Sequence, residues 1–203
     1  DEMKGRIEEK DESVPYLFNG YYYITRYEVG QDYPIYSRKK GNLQANEEIM
    51  FDCNEMAKGH KYFKLSGISI SKDNQFAVFS LDVVGRRIYT LHVKNLMTGE
   101  ILSDKVENVT GNATWANDNQ TIFYTRQDAQ TLRSDKVFKH RLGTVDTQDE
   151  LVYFEKDEMF DVSVYKEKSR KYIVIASSST LTTECQIALA DEIDPKFKVF
   201  QKR

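Results

Sequence analysis

Three prolines, two cysteines, three histidines, one tryptophan and no long apolar run are spread over 203 residues, and each scarcity removes a class of answer. Without about 20 consecutive apolar residues no helix can cross a bilayer, so no membrane partner is expected. Cys53 and Cys185 are too few for a disulfide framework, which makes a reducing, cytoplasmic compartment the simpler reading and both thiols buried or inert. An excess of one charge is also missing. The 29 basic and 32 acidic residues are mixed along the chain, and a net charge of −3 gives no field to hold a polyanion, so nucleic acid is not an expected partner. His60, His92 and His140 lack the close His, Cys or carboxylate spacing of a zinc site or a triad; no metal and no cofactor is expected, and His140 is expected to hold a turn through a hydrogen bond. None of the glycines lies in a G-x-S-x-G nucleophile elbow, so no catalytic residue is assigned. The chain opens at Asp1-Glu2-Met3 without an initiator Met, so the lack of a targeting segment carries no information, and an excised piece of a longer protein is expected.

What is abundant is strand-forming sequence broken by polar turns. Asp73-Asn74 is echoed by Asp118-Asn119 about 45 residues later, each ahead of an aromatic and β-branched run, and that period belongs to blade-like β repeats. Asn19-Gly20 and Ser169-Arg170 stand at matching places before Tyr21 and Tyr172. Asn, Asp and Gly accept the left-handed backbone that a tight hairpin needs; Ser169-Arg170 is the poorer turn. Four units follow, roughly 16–53, 63–103, 109–156 and 160–203, with a charged lead-in over 1–14 and a short helical link over 54–60. The fold class expected is all-β, a partial β-propeller of about four four-stranded antiparallel blades. Such an array leaves its terminal apolar faces to be covered by further blades.

Several chemistry-like motifs read as background. Ser37-x-x-Lys40, Ser69-x-x-Lys72 and Ser163-x-x-Lys166 fit S-x-x-K, but on a strand residues three apart point to opposite faces. The sequons at Asn108, Asn112 and Asn119 fall where Asn-rich turns are frequent. Glu155-Lys156-Asp157-Glu158 lacks the spacing and turn glycine of a Ca²⁺ loop and reads as a solvated connection.

One stretch is more specific. Arg133 to Phe154, with His140-Arg141-Leu142-Gly143-Thr144, an acidic spacer and Leu151-Val152-Tyr153, closely resembles the propeller of oligopeptidase B, in the prolyl oligopeptidase family of serine peptidases. Agreement extends through Ser13-Val14-Pro15, Gly20 to Tyr23, Tyr33 to Tyr36, Asp52-Cys53-Asn54, Leu96 to Glu100 and Trp115 to Asp118, in family order. The resemblance implies a seven-bladed propeller stacked on an α/β-hydrolase domain, of which residues 1–203 would be roughly the first four blades. It implies a Ser-Asp-His triad carried by that absent domain, and cleavage of short peptides after Lys or Arg, with the propeller restricting access. The expected partners are therefore the chain's own hydrolase domain, the remaining blades and short peptides. Arg86-Arg87 align with a basic pair that bacterial members carry, and Arg87 is the candidate for an interdomain or substrate-gating bridge. A free-standing propeller-type binding scaffold and the propeller of a prolyl-specific oligopeptidase are the alternatives.

Overall fold

The computed structural model describes residues 2–6, 8–192 and 194–203; Asp1 and Ile7 of the lead-in and Ile193 of the fourth unit lie outside the described residues. In chain order the elements are α1 (Glu2–Gly5), β1 (Tyr16–Phe18), β2 (Tyr21–Arg26), β3 (Ile35–Lys40), β4 (Glu47–Asp52), α2 (Cys53–Met56), β5 (Lys64–Ile70), β6 (Phe76–Asp82), β7 (Tyr89–Asn95), β8 (Ile101–Trp115), β9 (Thr121–Gln127) and β10 (Ser134–Arg141). A short 3-10 turn (Asp146–Gln148), β11 (Glu150–Phe154), β12 (Asp161–Lys166), β13 (Tyr172–Ser178), β14 (Thr183–Leu189) and β15 (Lys198–Gln201) complete them. The chain is almost all β, as its β-branched and aromatic runs predict.

Residues 1–60 form one compact unit, an antiparallel meander in the order β1-β2-β3-β4. Buried positions recur at every second residue in Tyr21 and Tyr23 of β2 and in Ile35 and Ser37 of β3, whereas β4 buries the consecutive Met50 and Phe51 at a register shift against β3. Arg38 is buried too; its guanidinium lies 4.1 Å from the centre of the Tyr21 ring and donates to Glu48 at 2.8 Å. The expected helical link is α2. Asp52 caps it by accepting from the N–H groups of Asn54 and Glu55, and the Asn54 side chain exchanges hydrogen bonds with both backbone groups of Tyr33.

Residues 61–203 form the second unit, with a seven-stranded sheet ordered β11-β10-β9-β8-β7-β6-β5 and a four-stranded sheet ordered β12-β13-β14-β15. The sequence repeats of roughly 63–103 and 109–156 leave 103–109 between them as a connection in one continuous array. Instead β8 runs through that interval, pairing with β7 as far as Val109 and with β9 from Val109 onward. Asn108 (φ 59°) and Gly111 (φ 94°) take left-handed backbone, so the strand bends and changes partner without ending. Gly67 of β5 (φ 64°) makes room for the bend, because a Cβ there would lie 1.8 Å from the Gly111 carbonyl oxygen. Around this joint Val78, Leu91, Val106, Trp115, Ile122 and Tyr124 form one apolar core. A second core places Phe123 and Val137 of the larger sheet against Val162, Val164, Ile173 and Ile175 of the smaller. Each such side chain, fully buried, contributes about 1.5–3 kcal/mol.

The repeated turns are where they are expected. Asn19 and Gly20, Asn74, Asn119 and Arg170 all have positive φ. Within the second unit the turns are joined to one another. Asn119 Oδ1 accepts from the Asp73 N–H at 3.0 Å, and the Trp115 indole donates to the Ser69 carbonyl at 3.0 Å. Asn117 spans the next step: its N–H donates to the Ala190 carbonyl, its amide to the Arg170 carbonyl and Asp191, and its oxygen accepts from Lys166. Burial, with Arg170 and Lys72 nearby, lowers the Lys166 pKa to about 8. Asp73 and Asp118 each accept from the backbone of their own turn. Glu167 does the same in the last one, where hydrogen bonds from Ser169, Lys171 and Tyr172 hold its carboxyl at about 2.

Candidate functional site

Asp82, the last residue of β6, determines the shape of the β6–β7 tip. Its buried carboxylate accepts from the N–H groups of Val84 at 2.9 Å, Gly85 at 2.8 Å and Arg87 at 2.8 Å. Gly85 (φ 85°) lies against the Tyr62 ring, and Arg87 itself is left-handed (φ 58°). The Arg87 carbonyl accepts from the Gln127 amide at 3.0 Å, which ties this tip to the neighbouring β9–β10 tip. Both Arg86 and Arg87 are exposed, and neither guanidinium has a hydrogen-bond or ion-pair partner among the described residues. The backbone beneath Arg87 is fixed while its charge is free.

The second tip is built the same way, with Asp128 Oδ1 accepting from Gln130 and Thr131 and Leu132 at φ 59°. Between the two tips lies an open recess of about 370 Å³, lined by Arg86, Arg87, Ile88, Ala129, Gln130 and Leu132. Next along the chain Arg133 pins the connection between β11 and β12, donating to the carbonyls of Glu155 (3.2 Å), Asp157 (3.1 Å) and Phe160 (2.9 Å).

That connection corrects the expectation of a solvated loop. Lys156, Asp157 and Glu158 are exposed, but Glu155 is buried. Its carboxylate accepts from Tyr153 and the Asp157 N–H at 2.9 Å each and pairs with Arg203 at 3.2 Å, whose guanidinium lies 4.2 Å from the centre of the Phe160 ring. Burial alone would raise the Glu155 pKa; the donors from Asp157, Tyr153, Ser177 and Arg203 bring it down instead.

The remaining sequence candidates are scattered. Cys53 is buried, and burial pushes its thiol up to about 12, far from a nucleophilic thiolate; Cys185 is half-buried, and both are free. His92 stacks on Phe79, with burial lowering its pKa, and His60 sits in the turn after α2. His140 is sealed between Asp104 and Asp149 and does hold a turn, although neither carboxylate was recognisable from its position in sequence. Among the described residues no group of three or more His, Cys, Asp or Glu could hold a metal ion, and no helix is long and apolar enough to cross a membrane.

The whole chain, residues 1–203, matches the family described as "Prolyl oligopeptidase, N-terminal beta-propeller domain". It is 37% identical over 199 residues to dipeptidyl aminopeptidase BI of Pseudoxanthomonas mexicana, covering 91% of this chain and 28% of that protein. It is 33% identical over 196 residues to Protease 2 of Moraxella lacunata, covering 93% of this chain and 28% of that one. The structure of oligopeptidase B from Leishmania major superposes with a TM-score of 0.91 at 28% identity, over 98% of this chain and 29% of the other. The chain thus spans under a third of the length of these relatives. Its meanders are blades of a partial β-propeller, and the chain belongs to the N-terminal β-propeller family of the prolyl oligopeptidases.

Proposed function

We propose that this propeller segment gates the access of short peptides to a serine-peptidase active site on an α/β-hydrolase domain of the same protein, one that cuts after Lys or Arg, and that Arg87 bridges to a carboxylate of that domain. The observation that carries the reading is the β6–β7 tip. Asp82 fixes the tip by three hydrogen bonds, one of them from the Arg87 N–H, while the guanidinium is left exposed and unpaired. A guanidinium on a rigid mount can close on a carboxylate in bidentate geometry, which a mobile cation does less well. The two free cysteines fit a reducing, cytoplasmic setting.

Arg87→Ala in the full-length protein tests this. A hydrogen-bonded charge pair contributes roughly 1.5–3 kcal/mol, so kcat/KM on short arginyl peptides should fall about tenfold or more while stability stays within about 0.5 kcal/mol. Unchanged kinetics would remove Arg87 from the mechanism.

A second reading concerns where peptides are cut. The Pseudoxanthomonas relative is named a dipeptidyl aminopeptidase. Arginyl reporters with free and blocked amino ends, run beside a prolyl reporter, separate the cases. Preference for the free amino end would favour removal of dipeptides, and preference for the prolyl reporter would overturn cleavage after Lys or Arg.

A further inference from the structure

His140 lies on β10 with 0% of its surface exposed. Its Nδ1 is 2.7 Å from Asp149 Oδ1 and its Nε2 is 3.1 Å from Asp104 Oδ1. A neutral imidazole has one N–H and one lone pair, so in that form one of these two contacts would set a ring lone pair against a carboxylate lone pair. Two ionised carboxylates on the two nitrogens therefore require an imidazolium. Both carboxylates are engaged further. Asp104 Oδ1 also accepts the Gly143 N–H at 2.5 Å, and Asp149 Oδ2 accepts the Tyr124 hydroxyl at 2.8 Å.

The cluster joins distant parts of the chain. Asp104 comes from β8, Tyr124 from β9, His140 from β10, Gly143 from the connection that follows and Asp149 from the residue before β11. Lys105, next to Asp104 on β8, pairs with Glu107 at 2.7 Å, and Arg141, next to His140 on β10, is exposed. Arg126 of β9 and Asp146 of the 3-10 turn pair with each other at 3.3 Å beside Tyr124, and Lys139 of β10 pairs with Glu150 and Asp194 at 2.9 Å each. Asp104 and Asp149 are thus the two charges in direct contact with the ring.

We propose that the 142–149 connection is a proton-held clasp, locked by the His140 imidazolium between Asp104 and Asp149 and released when that proton is lost at alkaline pH. Deprotonation would leave two buried carboxylates around a neutral ring, a charge imbalance that a dry site does not tolerate. Burial alone pushes the His140 pKa down; the hydrogen bonds that the ring donates to Asp149 and Asp104 outweigh it, and the net direction is up. The sign of the linkage follows. With the folded pKa above the unfolded one, the clasp's contribution is complete below about pH 6.5 and is lost as pH rises through the raised folded value.

Hydrogen exchange of the full-length protein, read by mass spectrometry between about pH 6.5 and about pH 10 and corrected for the intrinsic base-catalysed rate, tests the clasp. Protection of peptides spanning 142–149 should fall at least about tenfold relative to peptides carrying the 71–75 turn. Asp104→Asn keeps an acceptor for Gly143 but removes one carboxylate, and should move the release about one pH unit or more lower. His140→Gln should show the connection open at neutral pH with its pH dependence gone. Relative protection that stays constant across the range in the wild type, or a release pH unmoved by Asp104→Asn, would overturn the proposal even if His140→Gln failed to fold.

Discussion

Strands β6, β9 and β13 each begin at a repeated turn and end at a hairpin tip, and the two ends are finished differently. At the turn end side chains are committed as well as backbone: Asp73, Asp118 and Glu167 cap their own turns, and Asn117 and Asn119 tie one turn to the next. At the tip end the backbone is equally well served, by Asp82, Asp128 and Ser179, but the side chains are not. Val84 and Leu181 are 68% and 95% exposed, and Arg86 and Arg87 carry unpaired charge. The turn end completes the fold, whereas the tip end leaves its side chains in solvent, as the proposed Arg87 bridge requires.

The comparison breaks if the two ends respond alike to substitution. The largest expected effect is Asn117→Ala, which removes three side-chain hydrogen bonds and strands their partners; a loss of about 2–4 kcal/mol should be read as a lower urea midpoint at unchanged slope. A loss no larger than that of a tip residue would show that the turn ladder is ornamental. Glu167→Gln should cost less and should act through pH. Because the folded pKa of Glu167 is depressed to about 2, its contribution is present above the unfolded carboxyl range near 4.5 and is lost as pH falls toward 2. The wild type should therefore lose stability across that acid interval, whereas the Gln variant should be flatter there; parallel acid curves would dismiss the cap. Smaller again, and opposite in sign, is Arg170→Gly. The native residue holds φ 62°, which glycine adopts freely, so a gain of about 0.5–1 kcal/mol in thermal or urea unfolding is expected. The same measurements on Arg87→Ala should stay within about 0.5 kcal/mol, leaving its effect to kinetics.

The turns were legible because Asn, Asp and Gly announce left-handed backbone locally, and Asn74 and Asn119 adopt it. The cap at Glu167 was not, since Glu does in the fourth unit what a shorter Asp does in the second and third. The continuity of β8 was hidden by Asn108, Gly111 and Asn112, residues that read as a loop but here bend a strand. Glu155 was misread because three of its neighbours in the acidic run are solvated, and the residue that justifies its burial, Arg203, is 48 positions away. One partner of His140 was out of reach for the same reason: Asp104 lies 36 residues before it, so no local spacing signals that contact. The position of Arg87 could be taken from family resemblance, but its backbone angle and its freedom from ion pairs required coordinates.

Strand β8 has a last consequence for how such a protein can be taken apart. A strand that finishes one meander and opens the next is a party wall, owned by both sides. The sequence repeats as if its units were cassettes, but a cut at 103–109 would leave both without an edge, so chimaeras joined there would inherit two damaged modules rather than exchange one.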